Sequence, residues 1–275
     1  MTAHVVRAKG VVRHALLIGF ALTALFPLLL VGLNSLKLST QIIAGPLSLP
    51  TSLTWSNFSQ AWQYGHFSHG FINSILLAGT TILVVLVCST LAGYVLAGKK
   101  LRMGPAIMVY FMVSMTVPIQ LFLFPLYFAF AHLNLLGNVF AVGVVIAALN
   151  MPLSIFLMRT FFLNVPREVE EAALMDGAST QQVLLRVMLP VVRPGLITVA
   201  IISGLNAWNE FLISSTFLQG NYTATLGYLS MNGTFSTNEG VMMAGAVILI
   251  VPVVVVFVVL QRYVVDGLVS GAVKG

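Results

Sequence analysis

Two groups of residues in this 275-residue chain have the types and spacing to do chemistry. The first is an acidic stretch, Glu168, Glu170, Glu171 and Asp176, interleaved with Ala172, Ala173 and Leu174, followed by Gly177 and closed by Leu189-Pro190. Carboxylates beside small apolar side chains make a surface that another protein can grip; a solvated connector that binds nothing has the same composition. The second group is Ser203, Asn206, Glu210 and Ser214, which one continuous helix would set on a single face, with Asn209 at its border. Thr116, Gln120 and Tyr127 form a shorter stripe, and Asn150 with Ser154 another. Hydroxyl, amide and carboxylate groups of this kind hydrogen-bond the hydroxyls of a polar solute along a path, or simply tie helices together.

Other signals fall short of a site. Gly93 to Lys100 nearly spells a phosphate-binding loop, but lacks the Ser or Thr that would hold Mg²⁺ and follows an apolar run, not a strand. His66 and His69 stand three apart with no further Cys or His to complete a metal site. Asn57, Asn221 and Asn232 open acceptor-like triplets of the kind that chance produces in such loops. No Ser/His/Asp set and no carboxylate pair points to catalysis. Cys88 is the single cysteine, so no intrachain disulfide exists; it reads as packing.

The elements that position these residues are set by composition. Hydrophobic residues make up 59% of the chain and charged ones 7%, against roughly a quarter charged in soluble domains. A soluble fold of this composition would have no surface to offer water, so the chain is read as an all-α integral membrane protein. Six stretches reach the roughly 20 apolar residues a crossing helix needs: 15–33, 71–97, 105–131, 139–162, 195–218 and 241–260. Helices are expected because lipid leaves exposed backbone groups unsatisfied. Pro118, Pro125, Pro152 and Pro252 are expected to kink or loosen their helices.

Basic residues orient the spans. Arg7, Lys9, Arg13, Lys99, Lys100, Arg102, Arg159, Arg167, Arg186, Arg193, Arg262 and Lys274 fall on one side, leaving Lys37 as the exception. Both termini and the insert at 163–193 are therefore expected in the cytoplasm, and the net charge of +6 needs no nucleic acid to explain it. The first apolar run exceeds the 7–15 residues of a signal core and reads as an uncleaved helix. Outside, Trp55, Phe58, Trp62 and Tyr64 suit a short interfacial helix, and residues 219–240 an outer loop. The whole chain, 1–275, reads as one domain.

Within the insert the signals are local. Pro166 opens a helix at a position that needs no N–H, and Glu168, Glu170 and Glu171 load its first turns with the charge its dipole favours. Gly177 suits a left-handed terminus, Ser179 and Gln182 form a capping box for a second helix, and Pro190 ends it.

The spacing Glu171-Ala172-Ala173, three residues, Gly177, nine residues, Val187, one residue, Leu189-Pro190 resembles the cytoplasmic loop of the permease subunits of binding-protein-dependent ABC importers, with Val187 where the pattern has Ile. Asn73-Ser74, Gly93-Tyr94, Pro118, Asn164-Val165-Pro166, Trp208-Asn209-Glu210-Phe211 and the ending Gly271-Ala272-Val273-Lys274-Gly275 are similar to the carbohydrate-uptake branch, in particular its smaller, maltose-type partner. Glu239-Gly240 departs from the Trp-Gly of many relatives. The resemblance implies six spans with a coupling helix between the fourth and fifth. Glu170, Glu171, Ala172, Ala173, Leu174, Asp176, Gly177, Leu189 and Pro190 would then seat against a cytoplasmic ATPase. Gly271, Val273, Lys274 and Gly275, in a tail at 264–275, would reach the same partner. Thr116, Gln120, Asn150, Ser203, Asn206, Asn209 and Glu210 would line the translocation path. It further implies a second homologous permease in a heterodimer, a homodimeric ATPase that binds ATP and Mg, an extracytoplasmic substrate-binding protein or lipoprotein, and residence in a bacterial or archaeal inner membrane. This chain would bind lipid, but no cofactor and no nucleic acid. Two alternatives stay open: an ABC importer for a solute other than a carbohydrate, and an ion-coupled secondary carrier resting on Glu210.

Overall fold

The computed structural model describes the backbone of residues 2–98, 101–234 and 238–272, with side chains described from 13 to 261 apart from 99–100 and 234–237. Among the described residues every regular element is a helix. In chain order these are α1 (Thr2–Asn34), α2 (Ser39–Ala44), α3 (Ser56–Tyr64), α4 (Phe67–Ala97), α5 (Gly104–Ser114), α6 (Gln120–His132), α7 (Val139–Leu163) and α8 (Arg167–Met175). They continue with α9 (Thr180–Gln182), a π-helical turn (Val183–Met188), α10 (Leu189–Val191), α11 (Arg193–Asn209), α12 (Leu212–Phe217), α13 (Ala224–Thr234) and α14 (Glu239–Ala272).

Four of these stretches are long and apolar enough to cross a bilayer: Arg13–Asn34, Phe67–Ala97, Val139–Leu163 and Glu239–Gln261. Thr180–Val191 and Arg193–Asn209, which meet at 76°, make a fifth if they form one bent span. The expected third span is not continuous. It divides into α5 and α6 around Pro118, whose ring lacks an N–H and disfavours helical backbone at the residue before it. Thr116 therefore stands apart from the helix that carries Gln120 and Tyr127. The expected fifth span is also interrupted, at Glu210, whose backbone is extended (φ −67°, ψ 128°). Ser214 thus belongs to α12 and not to one stripe with Ser203 and Asn206. Pro125, Pro152 and Pro252 lie inside unbroken helices. The outer segment expected as loop contains α13.

Two compact units are present, Met1–Phe67 with Gly227–Pro252, and Ser68–Leu226 with Val253–Gly275. In the first, the amide of Asn57 in α3 donates to the carbonyls of Ser35 and Lys37, each at 2.9 Å, pinning α3 to the chain that leaves α1. Lys37 is wholly buried, its ammonium facing the carbonyls of Gly45 and Pro46. The short aromatic helix forms as α3 and keeps Trp62 and Tyr64 exposed.

In the second unit α7 is the central post. Its buried residues Val142, Ile146, Asn150, Ser154 and Met158 recur at helical spacing, and α5, α11 and α12 pack on it. One apolar cluster, with Leu77, Phe130, Ile146, Ile213 and Phe217, surrounds its first half. Another, with Val85, Met158, Phe161, Phe162, Val183, Leu184 and Met188, surrounds its second half and takes in the insert.

Candidate functional site

The insert folds as its local signals dictate. α8 begins after Pro166 (φ −56°, ψ 138°) and carries Glu168 and Glu170 in its first turn. It ends at Gly177, φ +84°, where the Gly177 N–H donates to the Leu174 carbonyl at 3.0 Å and the Ala178 N–H to the Ala173 carbonyl at 3.1 Å. That paired 5→2 and 6→1 closure satisfies carbonyls the helix end leaves free, and it needs a left-handed residue at its joint. Two residues later the Ser179 N–H donates to Gln182 Oε1 (2.8 Å) and the Gln182 N–H to Ser179 Oγ (3.4 Å), completing the capping box. The second helix runs without a gap from Thr180 to Val191 and contains Pro190 in its last turn.

Burial gives the insert two sides. Val183, Leu184 and Met188 are buried among Met158, Phe161 and Phe162, with Ala173, Ala178 and Leu189 packed against them. Glu171, Ala172, Leu174, Asp176, Gly177 and Pro190 are exposed. Of the acidic pair, Glu171 faces out, whereas Glu170 is half-buried and its Oε1 accepts a 2.7 Å hydrogen bond from the hydroxyl of Tyr94 in α4. Met175 was not among the expected site residues, yet it is 87% exposed beside Leu174 at 44%. Its place three and four residues beyond Ala172 and Glu171 was the available signal, because such neighbours share a helix face.

The polar residues of the spans are brought together only in part. Asn150 on α7 and Asn206 on α11 meet: the Asn206 amide donates to Asn150 Oδ1 at 2.7 Å, and Asn150 Nδ2 donates to the Ile146 carbonyl at 2.9 Å. Ser203 is buried, its hydroxyl turned back to the Val199 carbonyl (2.8 Å). Asn209 is exposed and bonds the Leu205 carbonyl (2.9 Å). Glu210 places one carboxylate oxygen 2.6 Å from the Ile213 N–H and the other 2.8 Å from both the N–H and the hydroxyl of Ser214. It thereby caps α12, satisfying donors that the broken helix would otherwise leave free. Thr116 and Gln120 are exposed on either side of the α5–α6 break. Gly271 lies in the last turn of α14 with only its backbone described, and Val273, Lys274 and Gly275 lie outside the described residues. Among the described residues no three His, Cys, Asp or Glu side chains gather in a way that could hold a metal.

Residues 89–269, more than half of the chain, match the family model described as the binding-protein-dependent transport system inner membrane component. The chain is similar to the arabinooligosaccharides transport system permease protein AraQ of Halalkalibacterium halodurans, 31% identical over 98% of this chain and 99% of that one. It is also similar to the diacetylchitobiose uptake system permease protein NgcG of Streptomyces coelicolor, at 30% over 98% of this chain and 90% of the relative. The trehalose transport system permease protein SugB of Mycobacterium tuberculosis is 32% identical over 96% of each. Among solved structures, a chain of a bacterial ABC transporter involved in the import of the acidic polysaccharide alginate superposes with a TM-score of 0.77 at 26% identity, covering 96% of this chain and 99% of that one. The chain therefore belongs to the binding-protein-dependent transport system inner membrane components, as a multi-pass, non-catalytic permease subunit of an ABC importer.

Proposed function

We propose that this permease admits a sugar or sugar derivative, and that the exposed side of the insert docks in the partner ATPase. The substrate class is supported by relatives whose names specify arabinooligosaccharides, diacetylchitobiose and trehalose, matched over nearly their full lengths. The observation that carries the coupling role is the insert's two-sided build. Val183, Leu184 and Met188 fix it to the end of α7, while Glu171, Ala172, Leu174, Met175 and Asp176 are left free to enter a groove.

In this reading residues 1–275 form one transmembrane domain of six crossings: α1, α4, the α5–α6 pair, α7, the α11–α12 pair and α14. Both termini and the insert lie in the cytoplasm, as the basic residues that cluster at the insert's end of α4 and α7 favour. A second, homologous permease completes a heterodimer around the path. Asn150 and Asn206, joined across α7 and α11, are the part of the path where polar groups of two spans already converge. Thr116, Gln120, Ser203 and Asn209 complete the proposed lining, and Glu210 shapes it by capping α12 rather than by touching solute. Gly271, Val273, Lys274 and Gly275 of the tail contact the ATPase, which holds ATP and Mg; this chain binds no cofactor. Closing of the ATPase pair moves the docked helix and, with it, access to the path. An ion-coupled carrier is disfavoured because the carboxylate of Glu210, on which it would rest, is already committed to capping α12.

Purification of the chain from its native membrane, with mass spectrometry of what stays bound, tests the assembly. A second permease, an ATPase with a phosphate-binding loop and a binding protein that retains a saccharide are expected. A complex whose binding protein takes an amino acid or a metal ion would overturn the substrate class, and a transport-competent chain recovered alone would overturn the whole reading.

A further inference from the structure

We infer that Tyr94 and Glu170 form a tie that makes α8 move as one body with the inner end of α4, so that Glu170 serves coupling by facing inward rather than by touching the ATPase. The inference rests on the coupling role proposed for the insert and assigns a positioning residue, Tyr94, far from it in sequence.

Three contacts lock the last turns of α4. Gly93 lets the α7 backbone come close: a Cβ at this position would lie 2.8 Å from Met158 Cβ and 2.9 Å from the Arg159 N. Arg159 Nε donates to the Leu96 carbonyl at 3.0 Å. The Tyr94 ring stands edge-on to Phe162, centroids 5.4 Å apart at 64°. From this fixed ring the hydroxyl reaches Glu170 Oε1 at 2.7 Å, a short bond of the kind a charged acceptor makes. α8 also packs on the π-helical turn and, through Ala173 and the following Ala178, on the apolar cluster at the end of α7. That packing carries a push on α8 to α7, and the Tyr94–Glu170 bond adds a direct strut from α8 to α4.

The test is hydrogen–deuterium exchange of the assembled importer, nucleotide-free and trapped with ATP and vanadate. In the wild type, peptides covering 167–176 and 91–98 are expected to change together on trapping. Tyr94→Phe keeps the ring on Phe162 and removes only the hydroxyl. Its response at 167–176 should persist while that at 91–98 falls at least about tenfold, the scale set by losing a hydrogen bond to a charged group. Glu170→Gln, whose amide oxygen still accepts from Tyr94, should behave as wild type, and Glu170→Ala as Tyr94→Phe; should Tyr94→Phe not assemble, Glu170→Ala decides. A response at 91–98 that survives in these variants, or that is missing from a wild type whose 167–176 responds, overturns the tie alone. Absence of any response at 167–176 in the wild type overturns the coupling role, and the tie with it. A merely structural effect would raise exchange in both segments before nucleotide is added and leave their joint response to trapping intact.

Discussion

Replacing Glu210 by Gln separates a helix cap from a solute contact, because the two roles fail in different ways. The native carboxylate accepts three hydrogen bonds, from the N–H groups of Ile213 (2.6 Å) and Ser214 (2.8 Å) and from the Ser214 hydroxyl (2.8 Å). A glutamine offers one acceptor oxygen. If it keeps Ile213, its NH₂ faces the Ser214 N–H, donor against donor, and the charge that strengthened all three bonds is gone. Losing an N-cap costs about 0.5–2 kcal/mol, and a hydrogen bond to a charged group is worth about 1.5–3 kcal/mol. Together these set a loss of roughly 1.5–3 kcal/mol. The helix so weakened seats Ile213 and Phe217, both buried, the latter against Phe130 at 4.7 Å between ring centroids. The thermal midpoint of the importer in nanodiscs should fall by roughly 3–12 °C, using about 2–4 °C per kcal/mol for a chain of this size. Uptake per assembled complex at a permissive temperature should fall by less than about threefold, since the penalty falls on the fold and not on the solute. A midpoint within a degree of wild type, with uptake abolished, would refute the capping argument and return Glu210 to the path as a direct contact.

Substitutions at three further positions probe the insert and the path. Gly177→Val should cut ATPase retention in pull-downs sharply, because φ +84° costs a residue with a Cβ about 1–2 kcal/mol and a β-branched one more. Nothing lies within 4 Å of a Cβ there, so Gly177→Asn, which tolerates the conformation, should retain most of the binding. Met175→Glu should lower co-purification of the ATPase by at least about tenfold, the order expected when a charge replaces an exposed apolar side chain that docking would bury; unchanged recovery would remove Met175 from the docking surface. Asn150→Leu removes the acceptor of one interhelical hydrogen bond, worth about 0.6 kcal/mol in membranes, so the thermal midpoint should hardly move. Uptake should nevertheless drop at least about fivefold, and normal uptake would assign the Asn150–Asn206 pair to packing alone.

What the sequence determined by itself was whatever depends on neighbours within a turn or two. Apolar runs of about 20 residues dictate helices because lipid satisfies no backbone group, and α4, α7 and α14 begin or end close to the expected limits. The insert was legible almost residue by residue, since Pro166, the left-handed Gly177 and the Ser179–Gln182 box act on donors and acceptors at most five positions away. What only the tertiary structure decided depends on partners distant in the chain. Glu170 and Glu171 are adjacent and chemically alike; Tyr94, 76 positions earlier, is what draws one inward and leaves the other in solvent. Asn206 gained its partner from α7, and the stripe drawn through Glu210 dissolved because the helix stops there. A break without proline leaves no signal in a hydropathy pattern: it is stable only because the Glu210 side chain replaces the lost backbone bonds and because Phe217 finds Phe130 across the fold. Periodicity fixes which residues can share a face, whereas burial, a property of the assembled helices, fixes which way that face turns.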